Sequence, residues 1–280
     1  MRGAPRVTTV FFRKVRPELS DSPVNQALAL LTVASHKGAA YRPNCPHKMM
    51  MPTEQQHREE IVHFSRLLHQ AGFVAATDGN LSVRLDEDRV LSTPTAMSKG
   101  SLCSADIVTV DMDGRLIAGR HNVTSEIAMH LMIYKLRPDV RGIVHAHPIT
   151  ATGFAAAGMA LDQPLVCEVV IGLGSIPLAR YGTPGTPELC ESLEPLVPYY
   201  DALLMANHGA VAYAETLQSA YMKMETVEHF AQIALVTHIL GRQQPLGDED
   251  VSKLLLARTK YKSLRNSAPL LAFPIAANGR

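Results

Sequence analysis

The sequence predicts an α/β protein, a three-layer α/β/α domain built on a mixed, largely antiparallel sheet. Three observations point there. Helical and alternating segments interleave along the chain, yet they lack the regular βαβ rhythm of a doubly wound fold or a barrel. Short strand patterns follow one another across tight turns, as Leu81–Arg84 and Val90–Ser92 do across Asp86-Glu87-Asp88. At 280 residues with 46% hydrophobic side chains and no internal repeat, the chain suits one larger domain with extensions.

The first 50 residues read differently from the rest. Arg2, Arg6, Arg13, Lys14 and Arg16 precede the first acid, Glu18, and no amphipathic face is sustained. An organelle presequence has this Arg-rich character. A flexible extension, or a start assigned upstream of Met49, Met50 or Met51, accounts better for the missing periodicity. The folded domain is expected over residues 51–264, with 265–280 as a C-terminal tail.

A helix is expected from Thr53-Glu54, where a capping pattern precedes Ile61, Val62, Phe64, Leu67 and Leu68 at helical spacing and Gly72 ends the run. A turn-rich loop, Ala75–Asn80, leads into the two strands already named. Ile107–Val110 forms a further strand running into the turn Asp111-Met112-Asp113-Gly114. Thr124–Leu136 is broadly apolar and stopped by Arg137-Pro138, which marks a mostly buried helix. The apolar strand Gly142–Pro148 follows, then a short small-residue helix over Thr150–Ala157. Strand-like runs occur at Leu165–Ile171 and Ile176–Ala179 within a Gly- and Pro-punctuated stretch. Asp201–Ala206 closes on Asn207-His208-Gly209, and Val211–Tyr213 continues the sheet. Gln218–Leu240 is the longest helical pattern, and a last helix covers about Glu249–Tyr261.

Composition removes several classes of function. Lys and Arg number 27 against 26 Asp and Glu, a net charge near +1, so no strong field favours nucleic acid or a membrane surface. The longest early apolar run, Ala27–Ala34, is short and broken by Thr32. Cys45, Cys103, Cys167 and Cys190 are scattered without a CxxC pair, which argues against a disulfide framework and against a cysteine zinc site. A cytoplasmic protein with a small-molecule partner is the expectation.

The chemistry centres on His145 and His147. Residues two apart on a strand project to one face, so both imidazoles can converge on one point, although such pairs also occur as hydrogen-bonded surface features. His208 lies at another strand end, in a turn whose Gly209 allows close backbone approach. Three neutral imidazoles with an open fourth position are a frequent catalytic zinc shell. His57, His63 and His69 drift around the first helix, and His229 and His238 lie on the long one, so these take the structural explanation. Glu126 stands at a helix start, where a carboxylate ordinarily relieves unpaired backbone donors. Thr124 and Ser125 beside it are equally cap residues or parts of an anion cradle, and the loops Asp78-Gly79-Asn80 and Thr93–Gly100 are similarly small and donor-rich.

Taken in order, Gly79-Asn80-Leu81-Ser82-Val83-Arg84, Thr93-Pro94-Thr95, Thr124-Ser125-Glu126, His145-Ala146-His147 and Asn207-His208-Gly209 resemble the class II aldolase/adducin superfamily over residues 54–262. Within it the match is to the zinc-dependent L-fuculose-1-phosphate aldolases. The resemblance implies one Zn2+ per subunit held by His145, His147 and His208, with Glu126 as catalytic acid/base and ligand of the resting metal. It implies a homotetramer with sites between subunits. It further implies a substrate phosphate held by Gly79, Asn80, Thr95, Ala96, Thr124 and Ser125, and a C-terminal catalytic tyrosine at Tyr261.

Ala96 replaces the usual Gly, Thr124 replaces a Ser, and the tyrosine expected near Cys167-Glu168-Val169-Val170 is missing, so a phosphate or a carboxylate handle both stay open. The expected function is a zinc-dependent lyase performing reversible aldol cleavage of a small sugar phosphate or related hydroxy-carbonyl compound through a metal-stabilised enediolate. A decarboxylase on the same scaffold is the first alternative. A sugar-phosphate 4-epimerase comes next, against which Glu126 counts because those enzymes resemble a Ser-Asp motif there. A non-catalytic adducin-like assembly module is last, against which the histidine triad counts.

Overall fold

Thr53 starts the fold with a reciprocal cap: its Oγ1 accepts the Gln56 N–H at 3.2 Å, and Gln56 Oε1 accepts the Thr53 N–H at 2.7 Å. The computed structural model describes residues 52–263, with side chains as far as Arg258. The expectations for residues 1–50 and 265–280 lie outside the described residues. Helix α1 (Glu54–Gln70) buries Ile61, Phe64 and Leu68, the apolar stripe expected from their spacing.

Among the described residues eight strands form one sheet: β1 (Asn80–Arg84), β2 (Arg89–Ser92), β3 (Val108–Asp111), β4 (Leu116–Ala118), β5 (Gly142–Ala146), β6 (Leu178–Ala179), β7 (Ala202–Met205) and β8 (Gly209–Ala214). Their order is β4-β3-β2-β1-β5-β8-β7-β6, with every pair antiparallel except β6 and β7. The mixed, largely antiparallel sheet is therefore present. β5 sits between β1 and β8 and is buried along its whole length. A central position explains why the run Gly142-Ile143-Val144 is apolar on both faces rather than alternating.

Helices cover both faces of the sheet. Val144, Ala146, Ala210 and Ala212 pack with α1, α3 (Ile149–Ala156) and α6 (Leu217–Ile239), through Phe154, Met224, Val227 and Phe230. Ile143, Leu203, Val211 and Tyr213 point the other way, onto α2 (Ile127–Leu136) and α5 (Pro187–Leu193). Period two then places His145 on the α2 face, beside Ile143. That parity sets up the functional site.

Several local expectations need correction. Leu165–Ile171, read as a strand, contributes to helix α4 (Cys167–Gly172), which turns Val169 and Val170 inward. The β-branched residues favour a strand only where sheet neighbours are available, and here burial against the helical layer decides. Ile176–Ala179 shortens to the two-residue β6. Sequence periodicity did not foresee α5, the 3-10 turn Ser104–Asp106 or the edge strand β4, whose residues are all exposed and carry no alternating pattern. The last helix among the described residues is α7 (Asp248–Ser263). Among the described residues no helix is long and apolar enough to cross a membrane.

Candidate metal centre and active site

The site lies at one end of the two central strands. His145 is the penultimate residue of β5 and fully buried, His147 follows the strand end, and His208 sits in the β7–β8 turn. Asn207 adopts φ +55, a left-handed conformation that Asn tolerates, as the chain reverses into His208. Gly209 makes room for a ring rather than for a ligand: a Cβ there would lie 2.5 Å from His147 Cδ2 and 2.6 Å from the Ala146 carbonyl oxygen. The three imidazole centroids are 4.8, 4.9 and 5.1 Å apart. One ligating nitrogen from each comes within 4.8 Å of the others.

Glu126 completes the cluster. It flanks α2 and makes no capping hydrogen bond; instead its carboxylate turns to the histidines, Oε2 at 3.2 Å from His145 Nε2 and Oε1 at 3.3 Å from His208 Nε2. Asn80 Nδ2 donates to Oε2 at 2.8 Å. Burial alone would raise the Glu126 pKa, but the facing His145, then His208 and the Asn80 amide, hold it well below the usual carboxylate range. His145 is also desolvated, yet Glu126 outweighs this and raises its pKa. Burial and the neighbouring His145 lower His208 to about 4.

The donor set fits a divalent cation. His145 Nδ1–H donates to the Ala210 carbonyl at 2.9 Å, so in the neutral ring Nε2 is the free lone pair and it faces the cluster. His147 Nε2 stands 3.2 Å from it. Glu126 Oε1 is buried and accepts no hydrogen bond. Convergent lone pairs with an orphaned carboxylate oxygen are what an ion with nitrogen and oxygen ligands satisfies.

The residues expected to hold an anion fall into two groups. Gly79 and Asn80 come directly against the centre: Gly79 has φ +72, and a Cβ there would meet Val74 Cγ1 at 2.6 Å and the His145 carbonyl oxygen at 2.8 Å. The Asn80 side chain is engaged by Glu126 and, through Oδ1, by His130 Nε2 at 2.5 Å. The second group is the loop pair around Thr95 and Ser125, joined by the Thr95 N–H donating to the Asn122 carbonyl at 3.1 Å. Ala96 takes φ +58, so the left-handed turn that Gly would favour is kept despite the methyl group. Ser125 is exposed, and Thr124 Oγ1 accepts the Glu126 N–H at 3.4 Å. Tyr261 lies on α7 beyond the residues whose side chains are described.

Three residues at the site escaped sequence reasoning. Asp78 Oδ2 faces His147 Nδ1 at 3.5 Å. Lys99 is buried and ties the two loops together, its Nζ donating to the Thr77 carbonyl at 2.7 Å and to the Met97 carbonyl at 2.8 Å. Burial lowers its pKa to about 8. His130 is fully buried behind Asn80. A signal existed for the last, since His130 lies four positions after Glu126 and hence on the same helix face.

Residues 59–235 match the family model described as Class II Aldolase and Adducin N-terminal domain. The chain is 32% identical to the 3-oxo-tetronate 4-phosphate decarboxylase of Pectobacterium atrosepticum over 66% of its own length and 87% of that protein. It is 30% identical to the 5-deoxy-D-ribulose 1-phosphate aldolase of Bacillus thuringiensis serovar kurstaki, over 71% and 94%. A solved L-fuculose 1-phosphate aldolase superposes with a TM-score of 0.69 at 28% identity, covering 77% of this chain and 99% of that one.

Proposed function

The chain belongs to the class II aldolase and adducin family, and from that membership we propose that it is a zinc-dependent carbon–carbon lyase cleaving a small sugar phosphate or related hydroxy-carbonyl compound. The observation that carries this is the Glu126 carboxylate at 3.2 and 3.3 Å from His145 and His208, an acid/base group built into a metal-ligating cluster. His145, His147 and His208 would hold the ion, with Glu126 as a fourth ligand until substrate arrives. Bound there, zinc supplies a Lewis acid that stabilises negative charge developing on a carbonyl oxygen.

The chain's own groups supply the rest. In the cleavage direction the bond beyond the carbon next to the carbonyl breaks, its electron pair moves toward the carbonyl oxygen, and an aldehyde leaves. Glu126 then returns a proton to that carbon; in the condensation direction it removes the same proton. The loops at Gly79, Asn80, Thr95, Ala96, Thr124 and Ser125 are assigned to the anionic handle, and Tyr261 to proton transfer at the departing aldehyde. A homotetramer with sites between subunits belongs to the same proposal. It is supported by exposed apolar surface beside the centre, where Ile149 is 78% exposed two residues after His147.

Decarboxylation of a 3-oxo acid phosphate is the second reading, favoured by the 32% identity to the 3-oxo-tetronate 4-phosphate decarboxylase. It breaks a different carbon–carbon bond but leaves the electron pair at the same place. The test is to incubate the zinc-loaded protein with ketose 1-phosphates and 3-oxo acid phosphates while following aldehyde and carbon dioxide together. Aldehyde release supports the aldolase, and carbon dioxide release replaces it with the second reading. Glu126→Gln is expected to lower turnover at least 100-fold with zinc retained, and unchanged turnover overturns the role of Glu126. His147→Ala is expected to lose the metal, and full zinc occupancy in that variant contradicts the ligand assignment.

A further inference from the structure

Behind Glu126 runs a buried chain of side chains, of which His130, Ser82 and Tyr134 have no part in the proposed reaction. Asn80 Nδ2 donates to Glu126 Oε2 at 2.8 Å, and Asn80 Oδ1 meets His130 Nε2 at 2.5 Å. On the other side of the ring, His130 Nδ1 meets Ser82 Oγ at 2.6 Å, and Ser82 Oγ meets Tyr134 Oη at 2.8 Å. His130 and Ser82 are fully buried, Tyr134 is 1% and Asn80 4% exposed. The sequence makes this possible twice over. Asn80 and Ser82 share one face of β1, and His130 and Tyr134, four residues apart on one side of α2, continue the four-residue spacing from Glu126 at its N-cap.

The direction of the chain follows from its end. Glu126 lies between two imidazoles and accepts as a carboxylate, so Asn80 presents its NH2 to it and turns its carbonyl oxygen to His130. That carbonyl requires a proton on His130 Nε2. His130 Nδ1 is then an acceptor and Ser82 donates to it, so the Tyr134 hydroxyl, which also lies 3.3 Å from the Arg141 carbonyl, gives its proton to the nearer Ser82 Oγ at 2.8 Å. Every donor points toward Glu126. Reversal of any one link leaves two donors or two acceptors facing each other at 2.5 to 2.8 Å in a site without bulk water, which is costly.

We propose that His130, as the neutral Nε2–H tautomer, is a positioning residue that fixes the Asn80 amide and through it holds Glu126 against the histidine cluster. It touches neither substrate nor metal. Desolvation keeps it uncharged, its pKa lowered to about 3, so it stays in this form across the working pH range. The inference rests on the assignment of Glu126 given above.

Nitrogen-15 NMR of the imidazole side chains tests the tautomer without any substrate. His130 is expected to show a protonated Nε2 and an unprotonated Nδ1, unchanged from pH 5.5 to 8.5; a protonated Nδ1 or a titration in that interval overturns the proposal. Visible absorption of the cobalt-loaded protein tests the consequence. His130→Leu removes the donor and is expected to alter the cobalt spectrum at unchanged cobalt content. His130→Gln, whose amide restores a donor near Nε2, is expected to return it toward wild type. A His130→Leu spectrum identical to wild type overturns the positioning role. If His130→Leu fails to fold, the tautomer measurement on the wild-type protein decides. Absence of cobalt uptake by the wild type sinks the metal-dependent reading instead, so the two failures are told apart.

Discussion

Asp78 Oδ2 stands 3.5 Å from Nδ1 of His147, whose other ring nitrogen faces His145 Nε2 at 3.2 Å. A carboxylate on the far side of a ligating imidazole fixes its tautomer and orientation and raises its basicity. Asp78→Ala is therefore expected to weaken metal affinity by roughly 10- to 100-fold, read by competition with a chromophoric chelator. Wild-type affinity in that variant would show that Asp78 does not act on His147.

Ala96 carries the left-handed φ of +58 in a loop assigned to the anionic handle. A side chain with a Cβ is strained there, while Gly loses more chain entropy on folding. The balance predicts that Ala96→Gly raises stability by roughly 0.5–1 kcal/mol. The measurement is the urea midpoint at constant slope, and a lower midpoint contradicts it.

Gly79 is the opposite case. An added Cβ meets both the left-handed φ of +72 and two atoms closer than 3 Å, one of them the backbone oxygen of His145. Gly79→Ala is expected to cost roughly 2–4 kcal/mol by combined strain and overpacking. Because the carbonyl that must yield belongs to a cluster histidine, metal content should fall with stability. Chemical unfolding together with elemental analysis checks both, and a variant that keeps its metal and its midpoint refutes the close approach.

Lys99 gives a pH dependence with a definite sign. Its folded pKa is lowered by burial from 10.5 to about 8, so between those values the unfolded chain binds the extra proton. Stability then rises with pH across that window, by on the order of 3 kcal/mol at full titration. The stability of the wild type relative to Lys99→Met is expected to increase from pH 7 to pH 10 in thermal unfolding. A constant difference would show that Lys99 titrates alike in both states.

Legibility in the sequence followed the range of the interaction. The pair His145 and His147 was readable because strand periodicity places both on one face, and the helix starting at Thr53 because its cap lies within four residues. Glu126 was visible as a residue but ambiguous in role, since a carboxylate beside a helix start ordinarily caps it. The structure shows the side chain leaving the helix end for His145 and His208. Cys167–Gly172 went astray because its β-branched composition was read without the layer it packs against.

The sequence by itself determined the central strands, the long helices and the candidate histidines, all of which depend on local periodicity or on ordered motifs, but not the edge strand β4 or the helix Cys167–Gly172. Only the tertiary structure decided that Asp78 faces His147, that Lys99 joins two loops 22 residues apart at Thr77, and that His130 stands behind Asn80. Lys99 reaches a backbone carbonyl and the other two are side-chain contacts, all between segments distant in sequence. Pairing β1 with β5 in the register Asn80 to His145 brings Asp78 and His147 to the same end of the sheet, and no periodicity within either strand specifies that register.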